Sequence, residues 1–352
     1  MPIEIKKLER SQIELTAEIP AEEFDSYRSQ AIKHLGSHVD LPGFRKGHVP
    51  EKMLEEALGE MRIMEEMANR AIQNSFPKIV ESEKLDAIGQ PEVSVTKMAM
   101  GNPLEFKVRV AVVPEVPLPD YKKIAQKTLA KESPVEVTDQ EVEDTIVEIQ
   151  KLHARQAAAA KKDASPSAAS ASEETEDLEL PVFDDAFVKS LGDFKDLADF
   201  KIKLRENISA EKTQKAKDKA RISMMDAIMA KTTIDLPEVI VAGELDKMMA
   251  QMKYDIERMG VTFEDYVRHA KKTEDDMRKE VTPDAEKRAK YQLILNKIAE
   301  VEEIKPDMKE AEARVDELLK EHPEANRQRA LIYVVSNMLN QAVFDLLENP
   351  KS

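Results

Sequence analysis

Few residues in this sequence have types and spacings that could carry catalysis. His34 and His38 stand four apart, the spacing of two metal ligands on one helical face. No third ligand converges on them, and a histidine pair alone makes a poor zinc site. They read as surface residues near a helix end, with Gly36 expected to interrupt the helix between them. Asp184-Asp185 and Asp275-Asp276 could act as paired carboxylates in acid–base work. Both pairs fall where helices should begin, and the unsatisfied N–H groups and dipole of a helix N-terminus account for negative charge there. The chain has no cysteine, which removes disulfides, thiol nucleophiles and sulfur-ligated metals together. No glycine-rich phosphate loop and no nucleophile motif is present. The expectation is no catalytic residue, no metal and no cofactor.

Recognition chemistry is better represented. The chain carries 69 acidic against 53 basic residues, a net charge of -16, yet "LPGFRKGHVP" at 41–50 holds Arg45, Lys46 and His48 and no carboxylate. Pro42-Gly43 suits the centre of a type II turn, because proline fixes φ and glycine accepts a positive one. Gly47 is a second permissive point and Pro50 stiffens the exit. Phe44, Arg45 and Lys46 are displayed between the bends, where an aromatic ring beside a guanidinium can make a binding hot spot. The competing reading folds Phe44 into the core and leaves the basic pair as solvated loop.

A second signal is methionine. Met224, Met225, Met229, Met248, Met249, Met252 and Met259 crowd residues 221–260, and Met225, Met229, Met248, Met249 and Met252 are the candidates for an adaptable apolar binding surface. The alternative packs Met248, Met252 and Met259 with Leu245 and Ile256 as a buried stripe. Adjacent pairs such as Met248-Met249 cannot both face directly inward, which leaves some surface for binding.

The elements that must position these residues follow from periodicity. Residues 12–19 alternate Ile13, Leu15, Ala17 and Ile19 with polar neighbours, a half-buried strand. "AEEFDSYRSQAIKHL" is one short helix, "PEKMLEEALG" a second ending at Gly59, and "EMRIMEEMANRAIQNSF" a third that Pro77 should kink or restart. "PEVSVTKM" and "PLEFKVRVAV" form a hairpin around "AMGN". An extended proline-rich connector leads to a helix capped by Thr138 and Glu141, with Val142, Ile146, Ile149 and Leu152 as its stripe. Residues 156–177 mix Ala, Ser and charge, include Pro166 and hold no large apolar residue, which reads as a flexible linker. From Leu178 onward the pattern is helical, with stops at Gly192, Pro237, Gly260, Pro306 and Pro323.

The fold class expected is thus an α+β N-terminal domain followed by an all-α domain of long helices, in an elongated multidomain arrangement. At 352 residues there is room for two or three domains. Aromatics are 5% and charged residues 35%, so the cores must be thin and aliphatic. The acidic balance argues against nucleic acid coating the molecule and requires any anionic partner to be met locally. "MPIEIKKLER" lacks the apolar core of a signal peptide, and no apolar run is expected to reach membrane length. A soluble, cytosolic protein with no membrane partner is the expectation.

"GFRKGHVP" resembles the signature of trigger factor, the ribosome-associated bacterial chaperone family. "IGQPEVSV", "PLEFKVRVAVVPEVPLPDY" and "DLPEVIVAGELDKM" are similar to that family as well. The resemblance implies that Phe44, Arg45 and Lys46 dock beside the polypeptide exit tunnel of the large ribosomal subunit, against protein and local RNA. Gly43, Gly47 and Pro50 would be the loop scaffold. His48 stands where another basic residue is expected, which would make its contribution pH-dependent. The other implied partner is the unfolded nascent polypeptide, and weak self-association is allowed for. By resemblance the domains are 1–118 for ribosome binding, 119–155 for connector and helix, 156–177 for a linker, and 178–352 for client binding. The family's FK506-binding-type prolyl isomerase domain has no room here, since residues 154–180 contain no aromatic and an independent domain needs roughly 50 residues. The alternatives to an ATP-independent chaperone are isomerase activity at an unrecognised site and a helical scaffold without a client role.

Overall fold

A computed structural model describes residues 2–38, 51–130, 136–162 and 181–349. The chain divides into two compact units, one of residues 1–119 with 231–343 and one of residues 120–230 with 344–352.

The first unit begins with a four-stranded antiparallel sheet, order β1-β2-β4-β3. Its strands are β1 (Ile3–Lys7), β2 (Gln12–Ile19), β3 (Ala87–Lys97) and β4 (Leu104–Val112). The alternation expected at 12–19 sets the register: Ile13, Leu15, Ala17 and Ile19 lie opposite Val110, Val108, Phe106 and Leu104, and all eight are buried. The polar face of the same strands places Glu14 between Lys107 (3.1 Å) and Arg109 (2.8 Å), and hydrogen bonds from Arg109 and then Lys107 hold its carboxyl below the usual range. The hairpin around "AMGN" is β3–β4. The pairing of edge strand β3 is interrupted between Ile88 and Glu92 and again between Val95 and Lys97.

Four helices cover the apolar face: α1 (Ala21–Ser26), α2 (Arg28–His38), α3 (Glu51–Leu58) and α4 (Glu60–Ser82). The single helix expected over 21–35 is two, broken at Tyr27, whose N–H bonds back to the Phe24 carbonyl at 3.1 Å. Pro77 lies within α4, which neither stops nor restarts there. Ile63, Met67, Ala68, Ala71, Ile72 and Ile79 of α4 pack with Phe24, Leu15 and Phe106, so burial of a 3.6-period stripe against a 2-period face makes this core.

The remaining helices of this unit are α9 (Glu238–Arg258), α10 (Phe263–His269), α11 (Glu274–Val301), α12 (Met308–Glu321) and most of α13 (Arg327–Glu348). α9 packs on α11. Asp276 starts α11 in a capping box with Thr273, as its position predicts, and the Thr273 hydroxyl and N–H lower its pKa. Ala311 and Val315 of α12 share a core with Ala330 and Val334 of α13. No uninterrupted apolar run in α13 approaches membrane length, but averaged over its length the helix is long and apolar enough to cross a membrane by length and composition only, a test that the core helix of a soluble protein also passes.

The second unit contains α5 (Tyr121–Leu129), α6 (Asp139–Lys162), α7 (Asp185–Leu191) and α8 (Leu197–Met229). Val142 and Ile146 of α6 pack with Val188 and Phe200, and Phe183, Phe187, Phe194 and Phe200 meet edge to face at 5.0–5.9 Å. Leu152 does not join this stripe and is 56% exposed. Helix α6 continues to Lys162, past the point where the linker was expected to start. The rest of that linker, 163–177, lies outside the described residues. The helices from 178 onward are shared between the two units rather than forming one body: α7 and α8 pack with α5 and α6, and α9–α12 belong with the sheet.

Candidate functional site

The loop residues Gly43, Phe44, Arg45, Lys46, Gly47, His48 and Pro50 lie outside the described residues. The structure does show what holds the ends of that loop, because α2 ends at His38 and α3 begins at Glu51.

Three contacts set this frame. Gly36 is buried inside α2 rather than interrupting it, and a Cβ at that position would lie 2.6 Å from Leu54 Cδ1 of α3. The absent side chain is what lets α2 and α3 approach so closely. At the other end of α2, Arg28 donates to Glu55 of α3 (3.1 Å) and to both carboxylate oxygens of Glu60 at the start of α4 (2.5 and 3.0 Å). This fork raises the Arg28 pKa and holds the Glu60 carboxyl below its usual range. The third contact uses the histidine pair. His34 Nδ1 lies 2.8 Å from Glu66 Oε1, which also accepts from Arg70 at 2.8 Å, so α2 is tied to the middle of α4. His38 Nδ1 donates to the His34 carbonyl at 2.9 Å and closes the last turn of α2. Among the described residues no group of three or more His, Cys, Asp or Glu could hold a metal. The histidines brace the frame.

The methionines divide. Met225 and Met249 are buried, along with Met224, which corrects the expectation that Met225 and Met249 line an open surface. The reason is helical phase: Met249 and Ile256, seven apart, form the inward stripe of α9, which leaves Met248 and Met252 half-buried at its sides. Met229 is half-buried, and Met259, beyond the end of α9, is 71% exposed. Tyr254 is exposed on α9 as well. The acidic pair at 184–185 caps helices: Asp184 accepts from the Phe187 N–H at 2.8 Å and Asp185 from the Leu197 N–H at 2.9 Å.

Comparison with known proteins fits this frame. Residues 1–149 match the family model described as bacterial trigger factor protein (TF), and residues 196–351 match the one described as its C-terminus. The chain belongs to the trigger factor family. Trigger factor is a ribosome-associated chaperone. A trigger factor of Clostridium botulinum (strain Langeland) is 24% identical over 433 residues, covering 100% of this chain and 99% of the relative. One of Moorella thermoacetica is 26% identical over 389 residues, covering 90% of this chain and 86% of the relative. A solved structure concerned with promiscuous substrate recognition in folding and assembly activities of the trigger factor chaperone shares the fold. Its TM-score is 0.55 at 16% identity, covering 99% of both chains.

Sequence reasoning without the family found the loop but none of its supports. Arg28, Glu55 and Glu60 lie in three separate helices, and Gly36 was read as a helix interruption, although a glycine kept inside a helix despite its low propensity is also a signal of close packing.

Proposed function

We propose that this trigger factor docks beside the exit tunnel of the large ribosomal subunit through Phe44, Arg45 and Lys46. Phe44 supplies apolar area, and the two cations meet ribosomal protein and local RNA in an otherwise acidic molecule. Gly43, Gly47 and Pro50 shape the loop. The observation that carries this reading is the braced frame: Arg28, Gly36 and His34 fix both ends of a segment that bears the family signature. A loop tethered at rigid ends loses less freedom on binding.

Docked there, the protein holds emerging unfolded chains by transient burial of their apolar segments and uses no ATP. Half-buried Met229, Met248 and Met252 and the exposed Tyr254 and Met259 are the client-facing residues in this reading. Local concentration at the ribosome makes weak contacts sufficient. We read the chain as a cytoplasmic protein without prolyl isomerase activity. Supporting this, the two family matches leave only residues 150–195 between them, and the alignment to the Clostridium relative is 433 positions long against 352 residues here.

Ribosome co-sedimentation tests the docking. A folded Phe44→Ala/Arg45→Ala/Lys46→Ala variant is expected to leave the ribosome pellet, and unchanged co-sedimentation overturns the assignment. A proline-limited refolding assay tests the second point, with no acceleration expected.

A further inference from the structure

Two stretches shared with the family, "IGQPEVSV" at 88–95 and "DLPEVIVAGELDKM" at 235–248, have no part in the docking loop. The structure brings them to one place, at the turn between β1 and β2. Leu8 N–H donates to the Gln12 carbonyl at 2.8 Å and closes that turn, with Arg10 and Ser11 both left-handed at φ 57° and 49°. Glycine or asparagine normally fills such positions, because a Cβ crowds the following carbonyl there. The Ser11 carbonyl accepts from the Val112 N–H at 2.9 Å, which ties the turn to β4 but leaves the Ser11 N–H and hydroxyl to be accounted for.

The explanation comes from the segment that enters α9. Ser11 N–H donates to Asp235 Oδ2 at 2.7 Å, and the Ser11 hydroxyl donates to the Asp235 carbonyl at 2.6 Å. Arg10 pairs with Glu238. On edge strand β3, Gly89 (φ 76°) comes so near that a Cβ on it would lie 3.0 Å from Val239 Cγ2. Asp235, Glu238 and Val239 therefore engage the β1–β2 turn and the first stretch of β3 at once. The Arg10–Glu238 pair is exposed and by itself contributes little. The two Ser11 bonds have direction, and one has an ionised acceptor.

We propose that Asp235 is a positioning residue: by holding Ser11 through both carboxylate and carbonyl it locks the left-handed turn and thereby orients α9 on the sheet. Residues 1–119 and the α9–α11 pair then move as one body. On the function proposed above, the docked domain would carry the client-facing helix at a fixed orientation. The mechanical claim does not depend on that function, and its test uses no ribosome and no client.

The chain has no cysteine, so Gln30→Cys and Lys279→Cys, both exposed, take two nitroxide labels without ambiguity in the full-length protein. Pulsed electron–electron resonance should give one narrow distance peak. Asp235→Ala should broaden it about twofold or more, and Asp235→Asn, whose amide oxygen still accepts from the Ser11 N–H, should restore the narrow peak. Wild-type width in Asp235→Ala, or equal broadening in Asp235→Asn, overturns the proposal. Should Asp235→Ala lose helix by circular dichroism, Ser11→Ala decides the matter, because it deletes one hydroxyl and nothing else. An intermediate width is expected there, and wild-type width overturns the assignment.

Discussion

Gly36 of α2 and Leu54 of α3 interlock: the place a side chain would occupy on residue 36 is filled by the Leu54 methyls, 2.6 and 3.3 Å from an ideal Cβ. Gly36→Ala should therefore force buried Leu54 off its rotamer. Overpacking of this kind costs about 1–3 kcal/mol. The low end is expected because Leu54 meets the clash with the tip of its side chain. Urea unfolding should show the loss, and ribosome co-sedimentation should weaken with it as the loop ends spread. In a Leu54→Ala background the same substitution should be nearly neutral, so a double-mutant cycle reads the contact directly.

Arg28 should not be replaceable by lysine. Its guanidinium spans Glu55 and both oxygens of Glu60 while 28% of the side chain is exposed. A lysine ammonium cannot reproduce that fork. Arg28→Met and Arg28→Lys should each cost about 1.5–3 kcal/mol, the scale of hydrogen bonds to charged groups. Amide exchange in α3 should accelerate in both, and protection restored by lysine would contradict the geometry.

Acid should loosen the start of α6. Glu141 accepts from Lys212 at 2.7 Å and from the Thr138 N–H at 2.9 Å, and these bonds lower its pKa from 4.5 to about 2. A carboxylate depressed in the folded state stabilises it above its unfolded pKa, and that contribution fades as pH falls from about 4.5 toward 2. Protection factors of amides in the first turns of α6, which correct for the intrinsic slowing of exchange in acid, should fall across that window in the wild type. Glu141→Gln should exchange faster already at pH 7 and show no further step there.

Met249 and Met259 should behave oppositely although both are in or beside α9. Met249 is 2% exposed and Met259 71%. Met249→Ala should destabilise the first unit by about 2–5 kcal/mol through a cavity against α11, whereas Met259→Ala should stay within about 0.5 kcal/mol. An aggregation assay with an unfolded client should respond to Met259→Ala if that side chain meets clients.

Legibility in the sequence followed how much each element buries. β2 and β4 were readable because every second residue is in the core. β1 was missed, since at the sheet edge only Ile3 among its five residues is even half-buried and no alternation survives. The short α5 was hidden by the prolines before it, although Asp120 caps it by accepting from the Lys123 N–H at 3.2 Å. At 156–162 the Ala-rich composition suggested a linker, but alanine is the strongest helix former and α6 simply continues. The loop at 41–50, proposed above to dock, was visible as a basic, proline-bounded anomaly. Its frame was not, because pairs such as Arg28 with Glu60 and Ser11 with Asp235 are set by tertiary packing that no local pattern encodes.

The central strand pair of the sheet joins residues far apart in the chain: Glu14 on β2 meets Arg109 on β4, 95 residues later. During synthesis from the N-terminus, β2 has only β1 to pair with until β4 has emerged. The whole family signature at 43–50 is made in that interval, before the sheet that supports its frame can close. Pairings of such long range close late, because the loop entropy is lost before any contact repays it. On the docking proposed above, a newly made copy becomes able to dock only after its first hundred or so residues have cleared the ribosome that made them.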